Sequence, residues 1–126
     1  MAKKEMLSAH FSRDEMACRC CGKIGGYSEN LKKLLICLER LRELVGGSLN
    51  VTSGYRCPGH NADVGGMPNS YHLKDMAADL SSPGYPLEKL AKLAQSAGFK
   101  GIVIEEDQGI VHCDIREIAY FEHRRV

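Results

Sequence analysis

Near its middle the chain reads Ser70-Tyr71-His72-Leu73-Lys74-Asp75-Met76-Ala77-Ala78-Asp79-Leu80, which combines an imidazole with a carboxylate. His72 and Asp79 lie seven positions apart. Asp79 stands among small apolar residues, where a charge is unfavourable unless a nearby group neutralises it. A later apolar run, Ile110-Val111-His112-Cys113-Asp114-Ile115, adds a second imidazole. Two His and one Asp are a natural three-ligand set for zinc, with a fourth position left for water.

The same residues also have a simpler interpretation. Asp79 could cap a strand, and each His could be a packed side chain, because single histidines are common in protein cores. Taken one at a time, the residues leave both interpretations open.

Further motifs accompany these residues along the chain: Ser53-Gly54-Tyr55-Arg56, then Asn61, Gly65-Gly66, Ser-x-His-x(6)-Asp and a late Val-His-x-Asp. In this order they resemble the zinc D-Ala-D-Ala metallopeptidases. These are peptidoglycan carboxypeptidases and endopeptidases whose metal site is shared with the hedgehog signalling domain. The resemblance extends from about Phe11 to Arg116. It implies Zn²⁺ as the cofactor and His72, Asp79 and His112 as its ligands.

Size and charge fit one ordinary globular domain. The chain has 126 residues and a net charge of +1, with both signs mixed along the sequence, so we expect no nucleic-acid partner. No apolar run is long enough to span a membrane. The stretch from Met1 to Leu7 lacks the apolar segment of a secretory signal. We therefore expect a single zinc peptidase-like domain over residues 1–126, monomeric, and either cytoplasmic or released by a route such as phage-type lysis.

Cysteines offer a further interpretation. The six are Cys18, Cys20, Cys21, Cys37, Cys57 and Cys113. An even count permits disulfides, but the lack of a secretory signal favours reduced thiols. The run Cys18-x-Cys20-Cys21 suggests a structural zinc knuckle, although the usual set of cysteine pairs is missing. A Cys-based zinc or redox protein therefore stands as a third hypothesis.

Helices are predicted from capping patterns and hydrophobic periodicity. Ser12 and Glu15 have the spacing of a capping box at the start of a short helix. Leucines recur with a helical period from Leu31 to Leu41, and Gly46-Gly47 ends that run. A second amphipathic helix is predicted from Leu87 to Ala97, stopped by the glycine that follows.

Strands and loops complete the prediction. Short strands are expected at 49–52, 77–80, 101–105 and 110–115, the last two joined across Asp107-Gln108-Gly109. The stretch from Cys57 to Tyr71 is rich in Gly, Pro and Asn and is predicted to be irregular, and a loop this long is usually functional. The predicted fold class is α+β, with helices packed on one face of a small, mostly antiparallel sheet that carries the zinc site.

Amide hydrolysis by a metal-activated water needs a donor for the oxyanion and a base for the proton. Arg56 is the candidate for the donor, because the Arg of this loop motif binds substrate near the scissile carbonyl in the related carboxypeptidases. An Arg that merely ties down the loop is the alternative. Ser70 and Tyr71 precede His72 and are candidates for orienting this ligand or binding substrate.

The base is where the sequence departs from the family pattern. Many members carry Glu or Asp three residues before the final His, where this chain has Gly109. Asp114 is favoured, because it shares a sheet face with His112 in any register and because related His-x-Asp endings keep an acid there. Glu106 is the second candidate if the hairpin loop has three residues, and a two-residue loop would place Glu105 there instead.

Two acidic residues have alternative roles. Asp114 could form a salt bridge with Arg116 and take no part in proton transfer. Asp75 stands where the family usually has Gly, three residues after the first ligand His. Asp tolerates a positive φ better than most residues, but its carboxylate could also interact with Lys74 or the metal.

The main hypothesis is a zinc peptidase that hydrolyses peptidoglycan peptides at or near D-Ala, as a carboxypeptidase or an endopeptidase. The second is a hedgehog-like module that keeps zinc for structure or binding and has no turnover. The missing acid at Gly109 keeps this second hypothesis open.

Overall fold

The computed structural model describes residues 5–125. Met1 to Lys4, part of the stretch predicted to carry no secretory signal, and Val126 lie outside the described residues. The helices are α1 (Arg13–Met16), α2 (Ser28–Val45), α3 (Pro58–Asp63) and α4 (Leu87–Ala97), with a 3₁₀ helix at Tyr71–Lys74. The strands are β1 (Asn50–Ser53), β2 (Ala77–Ser81), β3 (Gly101–Glu105), β4 (Ile110–Asp114) and β5 (Tyr120–Arg124). Across residues 5–125, no helix combines the length and apolarity needed to cross a membrane.

The five strands form one mixed sheet in the order β1-β2-β4-β3-β5. All neighbouring pairs are antiparallel except β3 and β5, which run parallel. The predicted α+β class is therefore confirmed, and β4 occupies the centre of the sheet.

Strand register divides the sheet into an apolar face and a polar face. His112 on β4 lies opposite Asp79 on β2 and Val103 on β3, and Asp114 lies opposite Ala77. Because side chains alternate along a strand, these polar groups share one face. The other face packs against α2 and α4 in the hydrophobic core, which includes Ala78, Leu80, Ile102, Ile104, Val111 and Cys113.

Each of the two long helices, α2 and α4, ends at a glycine with a left-handed backbone conformation. The N–H of Gly46 donates to the carbonyl of Arg42 at 3.0 Å with a φ of +72°, and Gly98 ends α4 with a φ of +111°. The left-handed region costs glycine little, so both helices stop at these positions. At α1 the capping box is present: Ser12 Oγ accepts from Glu15 N–H, and the Glu15 carboxylate accepts from Ser12 N–H.

Three local predictions were wrong. The β3–β4 loop has four residues, 106–109, because Glu105 pairs with Ile110. The stretch from Cys57 to Tyr71 contains α3, with the Cys57 thiol accepting the N–H of His60 at 3.4 Å as its N-cap. Strand β5 was not predicted, because its mostly exposed side chains lack an apolar alternation.

Asp75 ends the 3₁₀ helix in the left-handed conformation, with a φ of +56°. Its buried carboxylate accepts the backbone N–H groups of Gly25 at 3.2 Å and Tyr27 at 3.1 Å. The Asp therefore fills the glycine-like turn and ties the segment before α2 to the 3₁₀ helix that carries His72.

Candidate metal centre

His72, Asp79 and His112 come together at the polar face of the sheet. His72 Nε2 lies 3.1 Å and His112 Nδ1 lies 3.0 Å from the same oxygen, Asp79 Oδ1. Four ligands arranged tetrahedrally around zinc at about 2.0–2.1 Å would lie ~3.3 Å from one another, so this spacing fits a zinc ion with little movement. The donor set, two imidazoles and one carboxylate, is also the kind that zinc accepts.

The backbone fixes which nitrogen of His72 is free. His72 Nδ1 lies 2.7 Å from the carbonyl oxygen of Gly54, which can only accept a hydrogen bond. Nδ1 therefore carries a hydrogen, and Nε2, which faces Asp79, is the nitrogen left for a metal. The hydroxyl of Ser70 accepts the N–H of His72 at 3.2 Å and so caps the 3₁₀ helix.

Asp114 holds His112 from the side opposite the metal site. Its Oδ2 lies 2.8 Å from His112 Nε2, and Arg116 donates to the same carboxylate through Nε at 2.8 Å, Nη2 at 2.6 Å and its backbone N–H at 3.1 Å. Burial opposes ionisation, but the hydrogen bonds from Arg116 and His112 hold the pKa of Asp114 well below its usual range. This arrangement leaves His112 Nδ1 for the metal, as metal-binding histidines require.

The surroundings of Asp114 therefore argue against its predicted role as the base. The carboxylate shares a sheet face with His112, as the sequence predicted, but it is completely buried and saturated by Arg116 and His112. It contacts the imidazole edge that faces away from Asp79. Asp114 orients His112, and the salt bridge to Arg116 that the sequence left as an alternative is present.

Gly101 makes room for this buried pair. A Cβ at Gly101 would lie 2.1 Å from Asp114 Oδ1 and 2.3 Å from Arg116 Nε. Any side chain on β3 at this position would displace the carboxylate or the guanidinium. The requirement was not visible in the sequence, because it depends on Gly101 lying directly opposite Asp114 in the sheet.

Burial and hydrogen bonding set the charges of the cluster. Burial opposes ionisation of Asp79, but hydrogen bonds from His112 and His72 hold the pKa of this carboxyl well below its usual range. Burial also lowers the pKa of His112, but hydrogen bonds to Asp114 and Asp79 outweigh it and raise this pKa from 6.5 to about 9. Metal binding at neutral pH must therefore release a proton from His112.

Arg56 lies beside the ligand set. Its Nη2 donates to Asp79 Oδ2 at 3.2 Å, on the oxygen that does not face the two histidines. The side chain is 16% exposed, so it is mostly desolvated but open to the cleft. Ser53 Oγ and Asn61 Oδ1 accept longer hydrogen bonds from the same guanidinium, at 3.3 and 3.4 Å.

Asn61 and Gly66 explain two more of the sequence motifs. Asn61 is buried, and its amide nitrogen donates to the carbonyl of Met67 at 2.9 Å while its oxygen accepts from Arg56. A Cβ at Gly66 would lie 2.1 Å from Asn61 Oδ1. The glycine therefore lets the loop close over the amide that positions Arg56.

The ligands lie in an open cleft of about 910 Å³. Tyr71 lines one part of it, and its ring packs against the guanidinium of Arg116 at 4.7 Å. Four arginines and two carboxylates, those of Asp79 and Glu105, contribute to the lining. The arginines are Arg19, Arg56, Arg116 and Arg124.

The four-residue hairpin loop decides between Glu105 and Glu106. Glu105 pairs with Ile110, two positions from His112, so it lies on the ligand face and lines the cleft. Glu106 lies in the turn, 43% exposed, and its carboxylate accepts from His123 at 2.8 Å. Glu106, the second candidate for the base, therefore lies outside the cleft, whereas Glu105, which was expected there only with a two-residue loop, lies inside it.

Comparison with known proteins is consistent with this geometry. Among models of protein families, the one described as Peptidase M15 matches residues 9–114. That span includes His72, Asp79, His112 and Arg56. No curated protein matches the sequence significantly.

Proposed function

The chain belongs to the peptidase M15 family of zinc D-Ala-D-Ala peptidases, and we propose that it hydrolyses peptidoglycan peptides at or near D-Ala. Membership supports a zinc-dependent metallopeptidase with a peptide substrate. The proposal adds to this the bond that is cleaved, at or near D-Ala, and the polymer that contains it, peptidoglycan.

The observation that carries the proposal is the convergence of His72 Nε2, Asp79 Oδ1 and His112 Nδ1 at the floor of an open cleft. These three atoms would hold the zinc ion. When bound, zinc would supply Lewis acidity that polarises a carbonyl and acidifies water.

Arg56 is placed to stabilise negative charge on the substrate. Its guanidinium lies on the outer oxygen of Asp79 and lines the cleft, so a carbonyl oxygen near the ligands could also accept from it. A fixed, partly desolvated donor of this kind is most valuable where charge develops during reaction.

Glu105 is the carboxylate placed to take the proton of the attacking water. Its side chain is 16% exposed and starts diagonally across the sheet from His112, a distance that a long side chain can bridge. Arg124 Nη1 donates to it at 3.3 Å from the exposed side. Glu105 on β3 would therefore serve as the base that many family members carry at the position of Gly109.

The experiment compares hydrolysis of a wall peptide ending in D-Ala-D-Ala with the same peptide ending in L-Ala-L-Ala. We expect cleavage of the first only, lost with a chelator and restored by zinc. Glu105→Gln should then lower kcat about 10²–10⁴-fold, the usual contribution of a general base. Glu106→Gln, the same change one residue away but outside the cleft, should leave kcat unchanged.

Three outcomes would contradict parts of the proposal. Zinc-loaded protein without hydrolysis of either peptide would favour the module that binds zinc without turnover. Equal cleavage of both peptides would keep the peptidase and remove the D-Ala specificity. A fully active Glu105→Gln variant would remove Glu105 as the base.

A further inference from the structure

A second cluster of possible metal ligands lies on another part of the chain. The thiols of Cys18, Cys21 and Cys57 all lie within 4.8 Å of one another. Cys18 is buried, Cys57 is half-buried and Cys21 is exposed, and none of the three is in a disulfide. The cluster shares no residue with the ligand set formed by the histidines and Asp79.

The first two cysteines come from one tight turn after α1. Cys18 and Cys21 are separated by two residues, so the run that suggested a zinc knuckle contains one cysteine pair with the spacing common in structural zinc sites. The N–H of Gly22 donates to the carbonyl of Cys18 at 2.9 Å, and the N–H of Cys18 donates to Lys23 at 2.8 Å. These bonds fold the turn back so that both thiols face the same side.

Arg19 anchors this turn from within. Its guanidinium donates to four backbone carbonyls, three on the preceding segment and one on β1 at Val51, at 2.9–3.1 Å. The turn therefore has a fixed position relative to the sheet. A fixed turn keeps its thiols close at a low entropic cost.

Cys57 reaches the turn from a distant part of the sequence. Its backbone N–H donates to Cys18 Sγ at 3.4 Å, and its own Sγ accepts the N–H of His60 at 3.4 Å. Both sulfurs thus receive a peptide N–H, an environment that stabilises a thiolate. Metal-bound cysteines need this form.

We propose that the thiols of Cys18, Cys21 and Cys57 bind a structural zinc ion. Sulfurs around a tetrahedral zinc at about 2.3 Å lie ~3.8 Å apart, a distance inside the 4.8 Å limit that the three sulfurs keep. The fourth position of the tetrahedron would be taken by water or by Cys20, which is exposed on the same turn. Soft thiolates select zinc over the hard cations that oxygen ligands prefer.

Such an ion would fasten the loop that carries Arg56. The N–H of Tyr55 donates to the carbonyl of Met16 at 2.9 Å, and a Cβ at Gly54 would lie 2.6 Å from that same oxygen. The loop already packs tightly on the segment before Cys18. Its Gly54 carbonyl orients His72, so this zinc would support the catalytic ligands without touching substrate.

Metal analysis of protein purified under reducing conditions tests the proposal. We expect two zinc ions per chain in the wild type, and one each in His72→Ala/His112→Ala and in Cys18→Ser/Cys57→Ser. Cys37→Ser, which changes a buried cysteine on α2 outside the cluster, should keep two.

Cobalt substitution of His72→Ala/His112→Ala keeps the test decisive even if the cysteine double variant does not fold. We expect a thiolate-to-cobalt charge-transfer band in the near ultraviolet, weakened by Cys21→Ser. No such band, or free reaction of Cys21 and Cys57 with a thiol reagent in the zinc-loaded protein, would overturn the proposal. A Cys18–Cys57 disulfide in the reduced preparation would overturn it as well.

Discussion

Asp114→Asn separates the positioning role of this residue from a role as the base. The carboxylate accepts hydrogen bonds from His112 Nε2 and from three nitrogens of Arg116. An Asn amide has one oxygen and turns an NH₂ group towards the remaining donors. At least one buried N–H must then face another donor.

The size of the effect follows from burial. Removing one partner of a buried ion pair costs about 3–5 kcal/mol, and we expect about 3 kcal/mol because Arg116 remains 20% exposed. For a domain of this size, that loss lowers Tm by roughly 10 °C. A histidine that loses the partner of its other nitrogen also binds metal about 10–100-fold more weakly.

Thermal unfolding of the metal-free protein and zinc competition with a chelator measure the two effects. Asp107→Asn makes the same chemical change at an exposed position of the hairpin turn and should alter neither. If Asp114→Asn kept wild-type Tm and zinc affinity yet lost turnover, the positioning role would be refuted and Asp114 would be the base.

Two further predictions concern the same network. Gly101→Ala places a Cβ 2.1 Å from Asp114 Oδ1 and should cost about 1–3 kcal/mol in urea unfolding, whereas Gly47→Ala meets nothing within 4 Å. Equal stability of the two variants would show that Asp114 and Arg116 can shift to accommodate the new Cβ without a loss of stability. Burial lowers the pKa of His112, but hydrogen bonds to Asp114 and Asp79 raise it from 6.5 to about 9. Its contribution to metal-free stability is therefore complete below pH 6.5 and lost as pH rises through about 9. Urea midpoints on both sides of that range should fall with rising pH for the wild type and stay flatter for His112→Gln, and a pH-independent wild type would contradict this assignment.

Local features of the fold could be predicted from the sequence. The Ser12–Glu15 capping box and the left-handed glycines Gly46 and Gly98 depend on residues within about one helical turn. The positive φ of Asp75 was likewise anticipated, because the residue takes the place of a glycine in the family motif.

Features that depend on tertiary pairing could not be predicted. One extra residue in the hairpin loop exchanges Glu105 and Glu106 between the cleft and the turn, and loop length cannot be read from composition. Asp114 shares the sheet face of His112 as predicted. However, Arg116 donates hydrogen bonds to its carboxylate, which then positions His112 and is not free to take a proton. Cys18 and Cys57 are 39 positions apart and meet only in the folded chain.

The centre and the rim of the cleft differ in how freely they can vary. Asp79 and His112 stand on β2 and β4, and β4 is hydrogen-bonded to a strand on each side. Part of the wall is the connection at residues 64–70 between α3 and the 3₁₀ helix, and loops of this kind tolerate insertions and substitutions. Substrate range can therefore diverge by changes in this connection while Asp79 and His112 keep the positions that the sheet gives them.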